Sequence, residues 1–118
     1  MKVVLVKPME KAEIVDIAPT LKNYQKIVGG FIETVYPFDD PVVVVCNDEG
    51  KFYEEPNRAL YGDDGKDYDI IFGTFFVCGL GEEDFQSLTD DLSEKYRKKF
   101  ERGEMFIKTN GGIAVMRF

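Results

Sequence analysis

The chain has 118 residues, 44% of them hydrophobic and 31% charged, with ten Phe, six Tyr, two Cys and no His or Trp. That length suits one domain, and the aromatic content supplies enough apolar surface to fold it without metal or disulfide. A net charge of −7 sets the chain against nucleic acid, and the missing imidazole removes the Ser–His and Cys–His nucleophile pairs and the usual zinc ligand sets.

Val3–Lys7 is an apolar run closed by Pro8, and Glu13–Ile17 alternates in part, so the two are expected to pair as a hairpin. Pro19 and Thr20 open a helix whose stripe is Leu21, Tyr24, Ile27 and Val28, and Gly29-Gly30 stops it. Phe31–Tyr36 and Val42–Asn47 read as strands divided by Pro37–Pro41. The valine run has little alternation, as expected of a central strand covered on both faces. Asn47–Gly50 is a tight turn into a short strand at Lys51–Tyr53. Glu54–Asp69 is irregular, with Asn57–Leu60 as a single helical turn.

Ile70–Cys78 is a second apolar run, broken by Gly73 at a bulge or a close backbone approach. Glu82–Leu88 is expected to form a short helix. Thr89 caps a clearer one, with Asp90 and Asp91 at its start, Lys98, Lys99 and Arg102 towards its end, and Leu92, Tyr96 and Phe100 on its inner face. Met105–Lys108 and Ile113–Arg117 close the chain as a hairpin around Thr109-Asn-Gly-Gly. The reading is one α+β domain over residues 1–118, a mostly antiparallel sheet of short strands with two or three helices.

No stretch reaches the ~20 apolar residues of a membrane span, and a first strand at Lys2 leaves no room for a signal peptide. The expected location is cytoplasmic. Cys46 and Cys78 each sit in an apolar run and read as buried small hydrophobes in a reducing compartment, not as a bridge.

Charge is unevenly spread. Residues 47–91 hold three basic residues against thirteen acids, while residues 92–118 hold seven basic residues against three acids. Asp63, Asp64, Asp67, Asp69, Glu82, Glu83 and Asp84 offer an acidic face to a basic partner, or else keep turns hydrated. The Asp63–Asp69 cluster fails as a calcium loop. With Gly65 at the glycine position, Leu60 and Gly62 fall where acids belong. Gly79-Leu-Gly81 lacks the third glycine of a phosphate loop, and Glu82 and Glu83 would repel the phosphate.

Lys95, Arg97, Lys98, Lys99 and Arg102 share one helix, where Asp91–Lys95 and Glu94–Lys98 already balance part of the charge. Asn57 and Arg58 differ. Arg58 is a lone cation in an acidic stretch, and two readings stand. It ties loop carboxylates together, or it is held with Asn57 and Tyr61 to read a carboxylate or phosphate on a ligand or partner. No catalytic residue, metal ligand or cofactor site is assigned.

Val28-Gly-Gly-Phe-Ile-Glu-x-Val, the valine strand into Cys46-Asn-x-Glu-Gly-Lys51, Pro56-Asn-Arg-Ala-Leu60 and Ile70-Ile-x-Gly-Thr-Phe-Phe-Val-Cys78 together resemble a family of small proteins catalogued only as a domain of unknown function. Glu83-Asp-Phe-x-Ser-Leu-Thr-x-x-x-x-Glu-Lys-Tyr-x-x-Lys-Phe100 is similar to its members from Gram-positive bacteria. The resemblance runs from Lys2 to about Phe106 and implies a setting in phage, plasmid and conjugative-element genomes, beside anti-restriction and transfer genes. It carries over no catalytic residue.

The expectation is a binding protein that blocks or sequesters a host protein, with homodimerisation through an exposed strand edge. A small-ligand or nucleotide-sequestering protein and a carboxylate-dependent enzyme are the alternatives.

Overall fold

Four consecutive valines, Val42–Val45, form the centre of the protein and are almost completely buried. Their lack of alternation has the expected cause, since the strand that holds them is covered on both faces. The computed structural model describes residues 1–63 and 68–118, Tyr68 by its backbone alone. Within them the chain runs β1 (Lys2–Val6), β2 (Glu13–Asp16), α1 (Leu21–Val28), β3 (Ile32–Val35), β4 (Val42–Asn47), α2 (Gly50–Tyr53), β5 (Pro56–Tyr61), β6 (Tyr68–Phe72), β7 (Phe75–Leu80), β8 (Phe85–Gln86), α3 (Asp90–Lys99), β9 (Glu104–Thr109) and β10 (Gly112–Arg117).

The main sheet has the order β2-β1-β7-β4-β3, with β8 also on β7, and every pairing in it is antiparallel. Side chains alternate across it with period two. Val3, Val43, Val45, Phe76 and Cys78 meet Tyr24 and Val28 of α1 on one face. Val4, Val6, Val42, Val44, Cys46, Phe75 and Val77 meet Leu60 and Ile71 of the β5–β6 hairpin, and Tyr96 and Phe100 of the α3 segment, on the other. The expected β1–β2 and β9–β10 hairpins are present. The observed architecture is α+β with a mostly antiparallel sheet.

Both longer helices begin and end as their sequences dictate. Thr20 Oγ1 accepts from Asn23 N at 3.2 Å, and Gly29, at φ 86°, ends α1 in the left-handed region. Leu21 stays exposed, so the buried stripe starts at Tyr24. Thr89 Oγ1 caps α3 by accepting from Leu92 N, and Arg97, Lys98 and Lys99 sit in its last turn, where cations suit the helix dipole.

The Tyr96 hydroxyl donates to Asp40 Oδ2 at 2.7 Å, and Lys95 Nζ donates to the same oxygen at 2.6 Å. The hydrogen bond from Lys95, then that from Tyr96, holds the Asp40 carboxyl below its usual 3.8. A depressed carboxyl stabilises the fold above its unfolded value and loses that effect as pH falls through the folded value. Thermal melts between pH 2 and 6 are therefore expected to fall more steeply with acid for the wild type than for Asp40→Asn, the difference opening below about pH 4.

Three expected elements are corrected. Lys51–Tyr53 is the helical turn α2 and not a strand. Asn47 Oδ1 accepts from Glu49 N at 2.8 Å and Glu54 N donates to Gly50 O, so the turn winds on instead of extending. Phe52 and Tyr53, both outward, gave no alternation to bury. Asn57–Leu60 is strand, not a helical turn, because a bulge between Pro56 and Arg58 leaves four successive residues buried and erases the period-two signal. Glu82–Leu88 is a tight return into β8, closed by Gly81 N donating to Asp84 O.

Gly73, at φ 81°, turns the chain between β6 and β7, so the second apolar run is two strands in different sheets. Cys46 and Cys78 are free, buried and on opposite faces of the main sheet. Burial pushes both thiols up to about 12, which keeps them neutral and unreactive. Among the described residues no helix is long and apolar enough to cross a membrane.

Candidate functional site

The segment from Val28 to Arg58 builds two different places, one inside the protein and one on its surface. The inner one holds Asn57 and Arg58, each 0% exposed. Asn57 is the extra residue of the β5 bulge, and successive strand residues that would face opposite ways both turn inward there. Asn57 Nδ2 donates to Val6 O at 3.0 Å and to Gly73 O at 2.8 Å, tying the end of β1 to the β6–β7 turn. Arg58 donates from one terminal nitrogen to Asn57 Oδ1 (2.8 Å) and Asn57 O, and from the other to Phe100 O (2.9 Å) and Glu10 O.

Burial lowers the Arg58 pKa, and the charge of Glu104 works against that shift. Glu104, itself buried, accepts from Ala59 N at 2.9 Å and pairs with Arg117 at 3.4 Å. Arg58 thus ties three separate segments together through carbonyl oxygens, where the sequence suggested loop carboxylates. Neither it nor Asn57 reaches the surface. Tyr61, at the end of β5, is 40% exposed.

The outer place is a groove of about 400 Å³ at the C-terminal end of α1, lined by Gln25, Gly29, Gly30, Phe31, Asn47, Glu49, Tyr53 and Glu54. Two of the motifs noted in the sequence meet here, Val28-Gly-Gly-Phe and Cys46-Asn-Asp-Glu-Gly. Asn47 Nδ2 donates to Val28 O at 3.3 Å and so ties the end of α1 to the turn that starts α2. A Cβ on Gly30 would come 3.1 Å from the Asn47 side chain, and one on Gly29 would come 3.3 Å from Glu54 Oε1. Bare backbone at both positions lets the amide and the carboxylate lie against the helix end. Phe31 and Tyr53 border the groove at 73% and 78% exposure. Large aromatic side chains this open on a surface mark contact sites more than stability.

The acidic residues among those described stand in different local settings. Asp63 Oδ2 accepts from Asp39 N at 2.6 Å, near Tyr96 of α3, whose pKa is raised by burial first, then by its hydrogen bond to Asp40, with the charges of Asp63 and Asp39 adding. Asp69 pairs with Lys51 at 3.6 Å and acts with Asp48 on Glu33. Glu82, Glu83 and Asp84 are exposed in the β7–β8 return, near Tyr24. Asp64 and Asp67 lie outside the described residues. Among the described residues no group of three or more Cys, Asp or Glu is placed to hold a metal ion.

Reading the sequence missed the groove because Lys51–Tyr53, taken as a strand, would have sent Phe52 and Tyr53 to opposite faces. The readable signal was the aromatic pair beside Glu54 and Glu55, next to a glycine pair followed by Phe31.

The sequence model of the family described as Domain of unknown function (DUF3846) matches residues 1–101. No curated protein and no solved structure matches the chain.

Proposed function

We propose that the chain, which belongs to the DUF3846 family, acts by binding a partner protein through the groove at the end of α1, and not by catalysis. The observation that carries this is the groove's make-up. Two open aromatics, Phe31 and Tyr53, flank the carboxylates of Glu49 and Glu54 on a wall fixed by glycine backbone. Such a surface suits a protein contact, in which a few aromatic anchors carry most of the affinity. Both thiols are buried and neutral, so neither serves as a nucleophile. The resemblance to proteins of mobile elements supports a role in blocking or sequestering a host component.

The test is capture from host lysate with the purified protein as bait, read by mass spectrometry, against the double variant Phe31→Ala/Tyr53→Ala. Both side chains are exposed, so the fold is expected to survive. The partner held by the wild type should fall about tenfold or more on the variant. Equal recovery on both baits would refute the groove as the contact.

A further inference from the structure

Resting on the binding reading above, we infer that the partner enters as an extended basic segment, which adds to the outer side of β3 and sets an Arg or Lys side chain into the groove. The backbone of β3 makes the first half of the case. Asp48 N donates to Phe31 O at 2.8 Å, in the same register that pairs Ile32 with Asn47 and Glu33 with Cys46. Hydrogen-bonded and non-bonded pairs alternate along an antiparallel ladder. Phe31, Glu33 and Val35 therefore direct their N–H and C=O groups at β4, whereas Ile32 and Thr34 direct theirs outward. Among the described residues no strand pairs with that outer side. An open row of donors and acceptors is a template for a further strand.

Charge makes the second half. The groove lies at the N-terminal end of β3 and also at the C-terminal end of α1, where the helix dipole is negative. Glu49 and Glu54 add two carboxylates, and among the described residues neither has a Lys or Arg within ion-pair distance. Glu54 is packed over Gly29 and Gly73, a Cβ on Gly73 coming 3.0 Å from its side chain, so its carboxylate is presented from a fixed position.

Of the local cations, Lys51 pairs with Asp69, and Lys26 sits in the last turn of α1. Glu33 of β3 stands against Asp48, and its pKa is raised by burial first and by that neighbour next. A cation laid along β3 relieves this repulsion. Tyr53 and Phe31 line the same groove as the carboxylates, and aromatic rings there favour guanidinium over neutral side chains.

The probe is a capped peptide of alternating arginine and valine, six residues long, with a control carrying citrulline in place of arginine. Each is titrated to about 1 mM into the ¹⁵N-labelled protein. The arginine peptide should move the Ile32 and Thr34 amide resonances and those of groove residues, and bind at least tenfold more tightly than the citrulline peptide. Glu54→Gln should weaken it several-fold. Thr34→Pro, which removes one outward N–H and leaves the β4 bonds, should do the same with an unchanged circular dichroism spectrum. Affinity should fall as salt rises.

Equal binding of the two peptides, silence of the β3 amides, or full binding by Thr34→Pro would overturn the inference. If the lysate bait still captures a partner through Phe31 and Tyr53, the binding reading survives and only this mode of docking falls. If both experiments fail, both fall.

Discussion

Arg58→Ala is expected to cost about 3–5 kcal/mol of folding stability, because a fully buried guanidinium and its four hydrogen bonds are lost together. A domain of this size is held by ~5–15 kcal/mol in total, so the variant would sit near the edge of folding. The loss has two sources. The guanidinium's bonds to Asn57, Glu10 and Phe100 vanish, and buried carbonyl oxygens are left without donors. Glu104 also loses the attraction of that buried cation, though it keeps its pairing with Arg117 and its bond from Ala59.

Urea unfolding followed by circular dichroism measures the change, and a cycle with Glu104→Gln apportions it. The double variant Arg58→Ala/Glu104→Gln should be more stable than the two single losses added together, by about 1 kcal/mol or more. A near-neutral Arg58→Ala would show that the arginine fills space and holds nothing.

Phe76→Ala should be about as severe, at ~3–5 kcal/mol, for a reason that involves no charge. Phe76 is fully buried on β7, paired with Leu5 of β1 and Val45 of β4, and its ring centroid lies 5.5 Å from that of Tyr24 on α1. Truncation leaves a cavity between the sheet and the helix, and α1 has only eight residues with which to stay docked. Phe76→Leu keeps most of the volume and should lose less than ~1.5 kcal/mol. Thermal melts of the two variants side by side test this. Equal losses from Ala and Leu would mean that the Tyr24 ring contact, and not filled volume, holds the helix down.

The parts of the fold that could be read from the sequence are those where one physical signal acts alone. Thr20 and Thr89 are caps with nothing to compete with them. Val42–Val45 can only be a fully covered strand, and Gly29-Gly30 can only end a helix. Failures came where two signals overlapped. At Asn57–Leu60 a bulge suppressed the alternation that would have marked a strand. At Lys51–Tyr53 the side-chain acceptor of Asn47 wound the chain into a turn that no hydrophobic period announces.

The candidate site was only half visible for the same reason. The glycine pair and the Cys-Asn-Asp-Glu-Gly turn stood out separately, but their meeting depends on β3 and β4 pairing in one register. Arg58 stands out in the sequence as a lone cation in an acidic stretch. Its partners, the carbonyls of Glu10 and Phe100, lie 48 and 42 residues away, beyond the reach of any local pattern.

The final hairpin supplies a carboxylate to the protein's interior. The stretch matched by the family model closes at residue 101, yet a buried carboxylate whose charge acts on the arginine at the heart of β5 arrives three positions later, on β9. Trimming the chain to its recognisable portion would remove a buried carboxylate whose charge acts on Arg58 and free the Ala59 amide from its acceptor. Kinship and structural self-sufficiency are drawn along different lines here.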